Sequence, residues 1–74
     1  MKVRKLMTYV DFRVITTVQI DDKVFEVDLS KSDLGIPIDY MERKVERITA
    51  PDELDEVAVI TAEGRREYME KHGI

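Results

Sequence analysis

Cysteine and asparagine are absent from this 74-residue chain, and glutamine and histidine occur once each, as Gln19 and His72. No disulfide can form, and a lone imidazole without thiolates excludes the usual structural zinc sites. The longest purely apolar run is Val57-Ala58-Val59-Ile60, far below the ~20 residues that cross a bilayer. Met1-Lys2-Val3-Arg4-Lys5 leads into no sustained apolar region, so no secretory signal is expected. With cysteine missing as well, the expected location is the cytoplasm. The three glycines stand apart at Gly35, Gly64 and Gly73, which gives no phosphate-cradling loop. No nucleophile–base constellation surrounds His72, so the chain is not expected to be an enzyme, and no cofactor is implied.

The length fits one domain, residues 1–74. A single core of this size rarely supplies more than ~3–5 kcal/mol without staples, so self-association is favoured. Charged residues make up 38% of the chain, with a net charge of −4. Abundant Lys, Arg and Glu with few amides is a composition found in thermophiles. Charge is also distributed unevenly. Lys2, Arg4, Lys5 and Arg13 make the opening segment basic, whereas Asp52-Glu53-Leu54-Asp55-Glu56 is acidic. The acidic run after Pro51 reads as a solvated helix start, with cation binding as the open alternative.

The clearest pattern runs from Phe12 to Leu29. Two alternating segments face each other across Asp21-Asp22, setting Val18 against Phe25, Thr16 against Val27 and Val14 against Leu29. That is the pattern of a hairpin with one face buried. The opposite face carries Arg13, Thr17, Gln19, Glu26 and Asp28, with Ile15 and Val24 as its large apolar residues.

Lys2–Val10 reads as a further strand, separated from the hairpin by a bend near Asp11. After a turn-rich stretch from Ser30 to Pro37, Asp39 and Glu42 form a capping-box pattern. Met41, Val45 and Ile48 follow at helical spacing, with an Asp39–Arg43 pair, and Pro51 ends the helix. Val57–Ile60 reads as a buried strand. Thr61 caps a charged helix with Arg66–Glu70 and Glu67–Lys71 pairs, a thin apolar side of Ala62, Tyr68 and Met69, and Gly73 at its end.

The expected fold is therefore α+β: a small antiparallel sheet in the order β-β-β-α-β-α, with two helices on one face. The alternative is a five-stranded small barrel in which residues 41–49 form a strand. The expected core is Phe12, Val14, Val18, Ile20, Phe25, Val27, Leu29, Met41, Val45, Ile48, Val57, Val59 and Met69.

Two short motifs carry resemblances. Asp28-Leu29-Ser30-Lys31-Ser32 resembles the D-x-S-x-S motif of von Willebrand A-type domains, which implies magnesium held by Asp28, Ser30 and Ser32. Those domains are much larger and supply further ligands from distant loops, so local backbone bonding by the two serines is the reading carried forward. Val59–Arg66 resembles the last strand and helix start of winged-helix DNA-binding proteins, but the helix pair those domains place before the wing has no counterpart here.

The expected function is a non-catalytic protein-interaction module that binds a protein partner or itself, as a homodimer. Its candidate binding residues are Arg4, Arg13, Ile15, Thr17 and Val24. The alternative is nucleic-acid binding through Arg4, Lys5, Arg13 and the outer sheet face. No membrane contact or small-molecule substrate is evident.

Overall fold

A computed structural model describes residues 1–49 and 54–73. Among them the elements run α1 (Val3–Met7), β1 (Thr17–Ile20), β2 (Lys23–Glu26), α2 (Ile38–Met41), β3 (Val45–Thr49), β4 (Glu56–Thr61) and α3 (Ala62–His72). The class is α+β. The four strands form one sheet in the order β2-β1-β4-β3. Each outer strand is antiparallel to its neighbour, but the central β1 and β4 run parallel, so the sheet is mixed rather than wholly antiparallel.

The central hairpin forms in the predicted register, with Val18 opposite Phe25 and Gln19 opposite Val24. Asp21 opens the turn at φ +57°, a left-handed conformation that Asp tolerates better than most residues. The ladder is shorter than the alternation suggests. The Asp11 carbonyl accepts from the amides of Val14 and Ile15, and its carboxylate accepts from the Arg13 amide. Residues 11–15 are thereby wound into a turn, and the strand starts only at Thr17. Val14 and Leu29, expected in the core, are consequently exposed.

Two segments differ in kind from the sequence reading. The first begins at Val3, where Val3, Leu6, Met7 and Val10 recur at i, i+3, i+4 and i+7, a helical stripe. Val3–Met7 is accordingly a helix instead of a strand, and its three apolar residues are buried. Val3 N–H donates to the Arg43 carbonyl (2.9 Å) and Val45 N–H to the Met1 carbonyl (2.7 Å), which ties this segment beside β3.

The second is the helix expected from Asp39. It ends at Met41, and Val45–Thr49 is a strand paired with β4, as the strand alternative for that stretch had it. Val45, Ile48 and Thr49 are β-branched, and the open edge of β4 offers them a ladder. Arg43 does not pair with Asp39; its guanidinium turns to Asp21 and Glu67.

The core lies on the inner face of the sheet. Val18 and Ile20 of β1 and Val59 of β4 pack against Val3, Leu6 and Met7 of α1, together with Ile36 and Met41. Phe12, Ile15, Phe25, Val27, Val45 and Val57 are partly buried around this cluster. Ile48 faces the same side but sits on the edge strand beyond the helices, and it is 52% exposed. Among the described residues no helix is long and apolar enough to cross a membrane. Of the acidic turn expected from Pro51 to Glu56, residues 51–53 lie outside the described residues.

Candidate interaction surface

The place where α3 leaves the sheet is built from polar groups. Asp21 N–H donates to the Val59 carbonyl, extending the β1–β4 ladder by one bond. Its carboxylate then accepts from Thr61 N–H (2.9 Å), the Thr61 hydroxyl (2.7 Å) and the Arg43 guanidinium (2.7 Å). The Thr61 hydroxyl in turn accepts from Gly64 N–H (2.9 Å), as a helix N-cap should. Arg43 reaches on to Glu67 (2.8 Å) and lies over the Tyr40 ring (4.3 Å), which meets Phe25 edge-on at 5.3 Å.

This junction is largely dry: the side chains of Asp21 and Arg43 are 9% and 13% exposed, and Thr61 is fully buried. Burial alone would lower the Arg43 pKa. The bond to Asp21 and the charges of Glu67 and Asp21 outweigh it and hold the guanidinium above its ordinary value. Gly64 belongs to the same arrangement, because a Cβ there would overlap the Asp21 carboxylate.

Two more contacts fix the first turn of α3. Glu63 accepts from Lys44 N–H (2.9 Å), and Arg65 pairs with Glu46 (2.7 Å). Burial pushes the Glu63 carboxyl up, but the Lys44 amide, helped by its own amide and Arg66, leaves it below the usual glutamate value. From Arg65 onward every described residue of the helix is exposed. Tyr68 (58% exposed) and Met69 (36%) therefore stay outside the core, against the expectation that Met69 would join it. The α3 end matches its signal, with Gly73 at φ +68°.

α3 and the outer face of the sheet enclose a half-open groove of about 830 Å³. Its floor holds Ile60 and Arg47, cross-strand partners in β4 and β3. Tyr68 stands on its helical wall and is stacked on His72 at 4.1 Å between ring centres. The turn residues Asp21 and Asp22 lie at the end next to Gly64, and Lys71 and His72 lie at the other. Along the sheet, Thr17, Gln19, Val24 and Glu26 continue the same outer face through the hairpin register.

The predicted binding residues are thus not gathered into one site. Thr17 and Val24 do share the outer face, where Val24 is 61% exposed. Ile15 does not join them. It precedes the strand and packs partly buried against the core cluster. Arg13 is exposed on the turn before β1 and is held by Asp11 through two 3.0 Å bonds. Arg4 projects from α1, away from the outer face, and is paired with Glu42. The residues that sequence reasoning missed are Ile60, Tyr68 and Lys71 of the groove. Alternation along β4 could have placed Ile60 outward, but nothing local shows that α3 stands off the core.

Asp28 accepts from both the amide (3.0 Å) and the hydroxyl (2.6 Å) of Ser30. These bonds hold its carboxyl below the usual aspartate value, and they make a local turn of the D-x-S-x-S segment. Among the described residues no three His, Asp or Glu side chains converge as a metal set would. Comparison with known proteins finds no family model, no curated protein and no solved structure that matches this chain.

Proposed function

We propose that this chain is a non-catalytic protein-interaction module of the cytoplasm that associates with a second copy of itself. The observation that carries this reading is its uncovered surface. Surface of both apolar and charged character is left open along α3 and the outer sheet face. Val24, Ile60, Tyr68 and Met69 are exposed apolar residues, interleaved with charges of both signs. The small core points the same way, since a second copy would add buried area that one chain cannot supply.

Sedimentation equilibrium from about 5 to about 200 µM tests the reading, over the range where micromolar affinities register. A mass rising toward that of a dimer supports it, and a monomer throughout overturns it.

The nucleic-acid alternative draws less from the geometry. Arg4 and Lys2 are both engaged by Glu42, Arg13 by Asp11, and Lys5 lies over the Tyr9 ring. Phosphate binding would have to displace these partners. Binding to single-stranded RNA that weakens steeply with salt would restore that alternative.

A further inference from the structure

We infer that the groove beside α3 is the contact between two copies, with their α3 helices packed antiparallel about a two-fold axis. This rests on the self-association proposed above and adds the surface and the register. Three features of the groove lead to it.

The groove is charged oppositely at its two ends. Asp22, next in the chain to the Asp21 carboxylate that meets Gly64, lines one end, and Lys71 the other, seven residues or about 10 Å beyond Gly64 along the helix. Among the described residues neither side chain takes part in an ion pair. A two-fold axis through the middle of the groove sets the acidic end of each copy against the basic end of the other. Both new pairs then form at once, as an isologous contact requires.

Tyr68 stands between these ends, more than half exposed, above a floor of Ile60 and the Arg47 side chain. In the antiparallel arrangement each Tyr68 ring enters the other copy's groove, adding apolar area where its own chain supplies little. Tyrosine suits such a position, with a broad apolar face and a hydroxyl left for the rim.

The helix is also already in place. The Asp21–Thr61–Arg43 junction and the Glu63 and Arg65 contacts fix its first turn. Docking therefore orders few new groups, and little of the contact energy is lost to ordering.

Charge reversal tests the register. Asp22→Lys and Lys71→Asp each place like charges together at both ends, so each variant alone should dimerise about tenfold or more weakly than wild type. An equimolar mixture of the two should recover the dimer, because Lys at 22 then meets Asp at 71 while Asp22 of the second variant meets Lys71 of the first. Both positions are exposed, so circular dichroism should show unchanged folding. Tyr68→Ser, in the same series, should weaken the dimer without help from any mixture. A wild-type chain that stays monomeric overturns self-association altogether. A wild-type dimer that tolerates both reversals, or is lost in each and not regained on mixing, leaves self-association standing and overturns the α3 groove as its site.

Discussion

α1 and α3 use their residues in opposite ways. α1 has five residues, no side-chain cap and three buried apolar residues. α3 has eleven residues, a Thr61 cap, a left-handed Gly73 terminus and no buried residue. A five-residue helix is unstable alone, so α1 exists because the core holds it. α3 is held by its cap, by the Lys44 N–H bond to Glu63 and by the Arg65–Glu46 and Arg43–Glu67 ion pairs, which leaves the rest of its surface open. Elements that complete the fold and an element that the fold displays can therefore be told apart by what holds each of them.

Removing the polar junction should have the largest effect. Asp21→Ala leaves the nearly buried Arg43 with Glu67 as its one carboxylate partner and removes two acceptors from Thr61, at a cost of about 3 kcal/mol. For a domain this small that is most of its stability, and urea unfolding followed by circular dichroism should show a largely unfolded chain in water. Leu6→Ala should cost about 2–3 kcal/mol by opening a cavity under α1, read from the same urea midpoint.

Gly64→Ala should destabilise by about 1–2 kcal/mol. The helix-propensity gain of up to ~1 kcal/mol is outweighed by overlap with a carboxylate that three donors hold in place. Tyr68→Ala, measured at low micromolar concentration where chains are separate, should change stability by less than about 0.5 kcal/mol. A large loss there would mean that α3 does pack on its own chain, and the contrast with α1 would fail.

The pH response should be the mildest. The carboxyls of Asp11, Asp28, Glu42 and Glu63 are each held below their ordinary values, by Arg13, by Ser30, by Lys2 and Arg4, and by the Lys44 amide against burial, respectively. A depressed folded-state pKa contributes stability at pH above the unfolded value, and that contribution is lost as pH falls through the folded one. Thermal midpoints should accordingly be flat from about pH 7 to 5. They should decline below the ordinary values of 4.5 for Glu and 3.8 for Asp.

The sequence reveals the parts of this fold that local chemistry decides. The Val18–Phe25 register, the Thr61 cap and the Gly73 terminus follow from alternation and capping alone. It misleads where tertiary partners decide. Met41, Val45 and Ile48 keep helical spacing, yet Val45–Thr49 is a strand because β4 has an edge to fill. Val3–Val10 has a mixed apolar pattern that predicts a strand, but its i, i+3, i+4, i+7 stripe is the one the core uses. The predicted binding residues do not share one face, since one turn at Asp11 takes residues 11–15, Ile15 among them, off the ladder. The groove depends on where α3 leaves the sheet, and the Asp21–Thr61 and Arg43–Glu67 contacts that tie it there join residues 40 and 24 positions apart. No local pattern records those contacts.

Hydrogen exchange at two protein concentrations tests the central claim most directly, because it reads α1 and α3 in one experiment. The account predicts that, between about 2 and 200 µM, protection rises for amides in Arg65–His72 and around Asp22, while α1 is unchanged. Exchange in α3 that is independent of concentration, or protection that rises instead in α1, would contradict it.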